Sequence, residues 1–176
     1  MDIQTFPGFL TAEECAEFQT MIRDVDGVNF TDSGAFKNKK WVDLGLATRF
    51  FERLAALDAE KAVRYLRPNN LIMAGMYELG DSFGLHTDTG LFYDAARGEK
   101  SRWTLLIYLN DDFEGGETVF YDTHTWAETC RIVPRAGMAL LFDIDLWHSG
   151  GALLRGKKHW IGCEIIGVLR AATPSP

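Results

Sequence analysis

Two residues near the middle of the chain, His86 and Asp88, are separated by a single residue in the stretch Phe83–Asp88. An imidazole and a carboxylate are both ligands of transition metals. If the stretch is extended, side chains two positions apart lie on the same side of the strand, and both donors reach one ion. The same spacing also arises by chance in polar loops, so the pair alone does not establish a metal site.

A third donor, His148, follows much later in the chain. Two imidazoles and one carboxylate are the ligand set of the facial triad that holds non-haem Fe(II) and leaves coordination positions open for chemistry. Metal binding requires neutral imidazoles and an ionised carboxylate, and we therefore expect metal occupancy to fall at acid pH.

A basic residue, Lys158, follows His148 in the sequence, and a turn near Gly156 is expected between them. A returning strand would place this lysine in the interior beside the metal, where an isolated ammonium is costly unless an anion neutralises it. Hydroxyl groups from Tyr108 and Thr118, on inward-facing positions, would bind the same anion. The alternative is that Lys157 and Lys158 form a solvated surface pair.

The first third of the sequence has the 3.6-residue periodicity of amphipathic helices. Thr11–Glu14 matches a capping box, which marks a helix start. The predicted boundaries are a short strand at Asp2–Phe6, a helix at Ala12–Asp24, a loop at Asp26–Lys40, a helix around Leu46–Leu57 and a shorter helix from Asp58 to Leu66. These predicted helices would form a supporting layer that packs against a sheet.

From Arg67 onward, short β-branched and aromatic runs alternate with Gly and Asp turns, which is typical of β-structure. The predicted strands are Leu71–Tyr77, Leu85–Asp88, Trp103–Leu109, Thr118–Tyr121, Thr125–Ile132, Ala139–Phe142 and His159–Val168. We predict a mainly β fold with supporting α-helices, in which the strands form a closed or double-sheet barrel such as a jelly roll. Residues 1–176 form a single domain in this interpretation, with helical support over about 1–66 and a β core over about 67–170.

One strand shows how the two layers are expected to meet. In Trp103–Leu109 the odd-numbered side chains would face the helices, and Thr104, Leu106 and Tyr108 would face the barrel interior. The segment Thr89–Ser101, just after the His-x-Asp pair, is either a surface connection or a loop that covers the site and selects the substrate.

Composition limits the classes of function. The 176 residues are 47% hydrophobic and 24% charged, which is ordinary for a soluble globular protein. A net charge of -7 argues against a nucleic-acid backbone as the main partner. The three cysteines have no metal-binding spacing, and the sequence has neither a signal-peptide pattern nor a membrane-length apolar run. We expect a cytoplasmic protein, monomeric or homodimeric, with no membrane partner.

Several motifs occur together in a recognisable order. They are Tyr77, His86-Thr87-Asp88, Arg102–Asp111, Gly115–Phe120, His148-Ser149-Gly150 and Gly156-Lys157-Lys158. This order resembles the Fe(II)/2-oxoglutarate-dependent dioxygenases of the prolyl 4-hydroxylase type, and Phe9–Cys15 is similar to that family's opening helix. The resemblance implies a double-stranded β-helix, cupin-like core.

The resemblance also implies roles for individual residues. His86, Asp88 and His148 match the iron ligands, and Lys158 matches the residue that binds the distal carboxylate of 2-oxoglutarate. The implied cofactors are Fe(II), 2-oxoglutarate as cosubstrate and O₂, with ascorbate as a supporting reductant. Further positions that match the cosubstrate pocket or its surroundings are Tyr108, Thr118, Tyr77 and Trp160.

The sequence departs from the family pattern after Lys158. An arginine is expected near Gly162 and is absent, whereas Trp160 and Glu164 should share the inward face with Lys158. Glu164 is either a contact for a cationic substrate group or a residue of the rim. The presence of Asp88 leaves no vacant ligand position for a halide, which favours hydroxylation.

The function that these observations favour is hydroxylation of an unactivated aliphatic C–H, with release of succinate and CO₂. The expected substrate is a prolyl or other amino-acid unit, as a small molecule or in a peptide. The alternatives are an oxidative demethylase with the same chemistry and a non-catalytic sensor that binds a metal or 2-oxoglutarate. The negative charge of the chain disfavours a nucleobase substrate.

Overall fold

The computed structural model describes residues 3–24, 31–32 and 35–169. Its helices are α1 (Ala12–Asp24) and α2 (Leu44–Leu57), and a 3₁₀ turn spans Ala62–Arg64. The strands are β1 (Ile3–Phe6), β2 (Thr31–Asp32), β3 (Lys37–Val42), β4 (Arg67–Tyr77), β5 (Phe83–His86), β6 (Tyr93–Asp94), β7 (Glu99–Tyr108), β8 (Glu114–Gly115), β9 (Thr118–Tyr121), β10 (Glu128–Ile132), β11 (Ala139–Asp143), β12 (His148–Gly150), β13 (Leu153–Arg155) and β14 (Lys158–Val168). None of the helices within the described ranges is long and apolar enough to cross a membrane.

Most of the described strands form two antiparallel sheets that face each other, and β8 and β13 pair in a separate two-stranded sheet. The larger sheet has the order β1-β11-β7-β14-β4-β3-β2, with β6 paired to β7, and the smaller sheet has the order β10-β9-β12-β5. Between them, Phe120 of the smaller sheet contacts Phe142 of the larger one, with ring centroids 5.2 Å apart. This arrangement confirms the predicted mainly β fold with a jelly-roll core.

The helices cover the outer face of the larger sheet. At the start of α1, Thr11 Oγ1 accepts a hydrogen bond from Glu14 N, and Glu14 Oε2 accepts one from Thr11 N, which is the reciprocal capping box expected from the sequence. Asp43 caps α2 by accepting from Leu46 N at 2.9 Å. Arg53 of α2 then binds both carboxylate oxygens of Glu14, so the two helices are fastened to each other.

Strand β7 contributes to both layers, as predicted from its alternation. Its residues Trp103, Leu105 and Ile107 are buried with the helix side chains, while Leu106 and Tyr108 pack against the aromatic cluster inside the barrel. Thr104 faces the cavity between the sheets. A single strand therefore joins the supporting layer to the interior of the barrel.

The predicted loop at Asp26–Lys40 is wrong at Thr31–Asp32, which form β2, and at its C-terminal end, where β3 begins at Lys37 and pairs with β4. Residues 25–30 and 33–34 lie outside the described part of the chain, as does Asp2 of the first predicted strand. Strand β3 has a polar sequence because it lies next to the edge of the sheet. Its buried Lys39 donates to the carbonyl of Arg23. Polar, lysine-rich strands are typical of sheet edges.

The predicted short helix from Asp58 to Leu66 is also wrong. Asp58 ends α2, and its carboxylate accepts a hydrogen bond from the Tyr65 hydroxyl. Only the 3₁₀ turn follows, because Pro68 disfavours a helical conformation at the preceding residue and β4 already begins at Arg67.

Several strand boundaries also differ from the prediction, and β4 and β7 each begin four residues earlier, at Arg67 and Glu99. The predicted strand Thr125–Ile132 begins only at Glu128, since Asp122 accepts hydrogen bonds from the amides of His124 and Thr125 and holds that segment in a turn. The strand that carries the first metal-ligand candidate ends at His86, so that Asp88 lies just beyond it.

Candidate active site

The three proposed metal ligands meet between the two sheets. His86 at the end of β5 lies directly opposite His148 at the start of β12 in the smaller sheet. Asp88 follows β5, and its backbone N–H donates to the carbonyl of Ile144 at 3.0 Å. Strand pairing thus brings together residues that are far apart in the sequence.

The ligand atoms are close enough to bind one ion. His86 Nε2 is 3.6 Å and His148 Nε2 is 3.9 Å from Asp88 Oδ1, and one ligand atom of each residue lies within 4.8 Å of the other two. Atoms bound at about 2.1 Å to one metal lie about 3 to 4 Å apart. The donor set and its spacing therefore fit a metal of the facial-triad type.

Both imidazoles are oriented by backbone carbonyls. His86 Nδ1 donates to Gly84 O at 2.8 Å, and His148 Nδ1 donates to Leu146 O at 2.9 Å. A carbonyl can only accept, so Nδ1 carries the proton and the lone pair of Nε2 is directed at the shared centre.

The electrostatics hold these groups in their metal-binding protonation states. Burial raises the pKa of Asp88, but the neighbouring His86 and His148 and the hydrogen bond from Thr104 outweigh that effect and leave the pKa below its usual value. Burial also lowers the pKa of His148. At neutral pH the carboxylate is ionised and the buried imidazole is neutral, as metal binding requires.

The triad opens into a cavity of about 410 Å³ between the two sheets. This volume is large enough for small organic molecules. Its wall contains His86, Asp88 and His148 together with Lys158, so the metal ligands and the predicted anion-binding lysine share one space.

Lys158 at the start of β14 is buried, with 3% of its surface exposed. Its ammonium donates to Gly116 O at 2.6 Å and lies 4.9 Å and 5.4 Å from the ring centroids of Tyr77 and Tyr108. Among the described residues no carboxylate lies within ion-pair distance of it. Two of its three donors remain for an anion, and burial lowers its pKa to about 8.

A comparison with known protein families agrees with this geometry. The family model described as "2OG-Fe(II) oxygenase superfamily" matches residues 72–162, which is just over half of the chain. The chain belongs to this superfamily. The matched region contains the triad and Lys158, and the cofactors of the family are Fe(II) and 2-oxoglutarate.

Individual relatives of this oxygenase are prolyl hydroxylases. The chain is 32% identical over 106 residues to "Probable prolyl 4-hydroxylase 10" of Arabidopsis thaliana, an alignment that covers 47% of this chain and 37% of the plant protein. The chain therefore spans little more than a third of that relative's length, and less of the other curated relatives that it matches.

Solved structures show that the fold is shared over nearly the whole oxygenase. The viral collagen prolyl hydroxylase of Paramecium Bursaria Chlorella virus-1, in its 2OG complex, has a TM-score of 0.63 and 19% identity, with 94% of this chain and 96% of that chain covered. A prolyl-4-hydroxylase of Pseudomonas putida has a TM-score of 0.67 and 15% identity, with 96% and 93% covered.

The other residues predicted for the cosubstrate pocket surround Lys158. Tyr77 and Thr118 line the cavity, while Tyr108 is fully buried one layer behind and forms a hydrogen bond of 2.8 Å with Thr118 Oγ1. Burial raises the pKa of both tyrosines, so their hydroxyls stay protonated. Thr118 and Tyr77 are therefore the hydroxyls that a ligand in the cavity can reach.

Trp160 lies farther along β14 and also lines the cavity of the oxygenase. It packs directly on the backbone of Gly75 in β4, where an added Cβ atom would lie 2.2 Å from Trp160 Nε1. The indole ring fills the space that the side chain of any residue other than glycine at position 75 would occupy. Trp160 therefore shapes the wall beyond the Lys158 end.

Glu164 is buried, with 3% of its surface exposed, and is occupied by groups of the protein itself. Its carboxylate accepts hydrogen bonds from the backbone N–H of Leu91 at 2.9 Å, from Asn69 Nδ2 at 3.2 Å and from Ser101 Oγ. The expectation that it sits at the rim or meets a cationic substrate group is replaced by this role. Glu164 anchors the segment 89–101, which also pairs with β7 through β6.

Sequence reasoning missed the wall that β3 contributes. Phe36, Asn38 and Lys40 line the cavity, and the Phe36 ring stacks on Tyr77 at 4.5 Å between centroids. A polar strand gives no apolar alternation, so the only available signal was the aromatic Phe36 in an otherwise polar segment. The sequence also gave no indication that the Thr104 hydroxyl donates to Asp88 Oδ2.

Proposed function

We propose that this protein is an Fe(II)- and 2-oxoglutarate-dependent hydroxylase of an unactivated aliphatic C–H. The single observation that carries the proposal is the shared cavity, in which the triad His86, Asp88 and His148 faces the same space as the buried cation Lys158. A metal and a dicarboxylate bound there supply the oxidising chemistry when O₂ is present.

The residues of the chain position these groups and limit access of water. The backbone carbonyls of Gly84 and Leu146 fix the two imidazoles, and the hydroxyl of Thr104 fixes Asp88. Lys158 supplies the positive charge for the distal carboxylate of 2-oxoglutarate, assisted by the hydroxyl of Thr118. The apolar rings around the cavity exclude water from the reacting carbon.

We infer that the substrate is a prolyl or other amino-acid unit. The names of the relatives support this class, since they are prolyl hydroxylases. The size of the cavity, about 410 Å³, suits a single residue or a small molecule. The net charge of -7 disfavours a nucleic acid.

The test measures O₂-dependent succinate formation together with the gain of one oxygen in the mass of amino acids and short prolyl peptides. Replacing His86, Asp88 or His148 by Ala should reduce both signals to background, because the metal then loses a ligand. The control is His124→Ala, since His124 is an exposed imidazole in the turn between β9 and β10. This variant should retain wild-type turnover.

Three outcomes would contradict the proposal. Undiminished turnover in any of the three ligand variants would reject that residue as a ligand. If the wild type binds Fe(II) and 2-oxoglutarate but forms no succinate with the whole panel, the protein is a sensor module and not a hydroxylase. Loss of a methyl group in place of the gain of oxygen would identify a demethylase.

A further inference from the structure

Within the described part of the chain, the charged groups that line the cavity leave one cation without a partner. These groups are Lys39, Lys40, Asp88, Lys158 and Glu164, beside the imidazoles of His86 and His148. The two carboxylates are both engaged: Asp88 faces the imidazoles and accepts from Thr104, and Glu164 accepts from the loop at Leu91. The cavity therefore offers no free negative charge for a cationic substrate group.

Two of the three lysines are also accounted for. Lys158 donates to Gly116 O and is the residue assigned to the cosubstrate, and Lys39 is buried with its ammonium on the carbonyl of Arg23. Lys40 is exposed on β3. Across residues 3–24, 31–32 and 35–169, no hydrogen bond or ion pair engages its side chain.

Lys40 lies at a different position along the cavity wall from Lys158. Along β4, Lys40 pairs with Met73 and Lys158 pairs with Tyr77. These two backbone positions are four residues apart, or about 13 Å along a strand. Because 2-oxoglutarate is assigned to Lys158 and the metal triad, an anion at Lys40 belongs to a second molecule.

The wall near Lys40 indicates what the rest of that molecule is like. Asn38 of β3 lies opposite Gly75, against which Trp160 packs, Met73 lies opposite Lys40, and Met73 and Leu91 both line the cavity. This end of the cavity combines apolar surface with an amide and one ammonium. It fits a ligand with an apolar body and a single anionic group.

We propose that Lys40 binds the α-carboxylate of the primary substrate. The inference rests on the proposed function and narrows its substrate to an amino-acid unit with a free carboxylate. An internal residue of a peptide has no such group. Lys40 is therefore a specificity-determining residue at the end of the cavity opposite the cosubstrate lysine.

The experiment measures binding without turnover, by calorimetric titration of the Fe(II)- and 2-oxoglutarate-loaded enzyme in the absence of O₂. The probes are the matched pair N-acetyl-L-proline and N-acetyl-L-prolinamide, which differ only in the carboxylate. We expect the wild type to bind the acid about tenfold more tightly than the amide, as one charge-assisted contact provides. Lys40→Gln should bind both equally, and Lys40→Arg should restore the preference.

The matched control is Lys37→Gln on the same strand. Lys37 binds Glu78 at 2.7 Å and does not line the cavity, so this variant should keep the wild-type preference for the acid. The affinity for 2-oxoglutarate should be unchanged in all of these variants, which also reports that the site is folded.

Three results would overturn the inference. The first is a wild type that does not prefer the acid, which includes the case in which neither probe binds. The second is a preference that survives in Lys40→Gln, and the third is a parallel loss of 2-oxoglutarate affinity in that variant. A carboxylate preference that depends on Lys40, observed without any hydroxylated product, would support this inference and reject the proposed reaction.

Discussion

At the scale of single residues, the protonation of Lys158 controls the charge of the cosubstrate pocket. The ammonium lies between the rings of Tyr77 and Tyr108, and its one hydrogen-bond acceptor within the described ranges is Gly116 O. Burial lowers its pKa to about 8, although the negative charge of Glu117 opposes this shift. The pocket is therefore cationic at neutral pH and loses its charge in mild alkali.

This shift predicts how 2-oxoglutarate affinity depends on pH. Below the pKa of about 8 the lysine is protonated and the affinity should be constant, whereas above it the affinity should fall by about tenfold per pH unit. Tyr77 and Tyr108 stay neutral over this range because burial raises their pKa values. Anaerobic titrations of 2-oxoglutarate between pH 6.5 and 9.5, at roughly half-unit steps, measure the profile.

The control for this profile is Lys158→Arg, because a guanidinium stays protonated throughout the same range. That variant should show a weaker but flat dependence on pH. A wild-type affinity that remains constant to the alkaline end of the titration would show that Lys158 is not the group that binds the distal carboxylate.

The sequence predicts the site residues whose side chains are chemically distinctive. His86, Asp88, His148 and Lys158 are chemically distinctive, and their order along the chain points to one kind of site. The groups that orient them are less distinctive, because the carbonyls of Gly84 and Leu146 belong to the backbone and are common to every residue type. Their roles follow only from the three-dimensional structure.

At the scale of elements, predictions succeed where the local pattern and the packing agree. Helix α1 has a capping box and an apolar stripe, and β7 alternates between two buried faces, so both are found where they are expected. Strand β3 has neither signal. It forms a strand because it pairs with β4, from Lys37 opposite Met76 to Val42 opposite Leu71, and not because of its own sequence.

The contact between β14 and the segment 89–101 gives a prediction for Glu164→Gln. The amide keeps one acceptor but turns the other into a donor, which then faces the donors Asn69 Nδ2 and Ser101 Oγ. The variant should lose about 1 to 3 kcal/mol of unfolding free energy and expose the Leu91 amide to faster hydrogen exchange. Denaturant unfolding and exchange measured by NMR give the two quantities.

The matched control for this change is Glu60→Gln, because Glu60 is exposed and forms no described hydrogen bond or ion pair. It should change the unfolding free energy by less than about 0.5 kcal/mol. If Leu91 exchanges at the same rate in wild type and in Glu164→Gln, the carboxylate does not anchor the segment.

At the scale of the whole molecule, the two sheets contribute different parts of the active site. The smaller sheet contributes His86 and His148 from β5 and β12, whereas the larger sheet contributes Lys158 from β14 and Thr104 from β7. A metal held by the triad and a dicarboxylate held by Lys158 would therefore connect the sheets across the cavity. Binding at this site should stabilise the arrangement of the two sheets as well as the site itself.

This division of the site predicts that Fe(II) and 2-oxoglutarate stabilise the protein cooperatively against heat. Each ligand at about a hundredfold over its Kd should add about 2.7 kcal/mol, which raises the Tm by about 5 to 10 °C. 2-Oxoglutarate alone should raise the Tm far less, because without the metal only the contacts with Lys158 and Thr118 would hold it. Anaerobic thermal unfolding with each ligand alone and with both together measures these shifts.

In Lys158→Ala the increment from 2-oxoglutarate should disappear while that from Fe(II) remains, and in His86→Ala both should be lost. Equal stabilisation by 2-oxoglutarate with and without Fe(II) would show that 2-oxoglutarate does not bind the metal held by the triad.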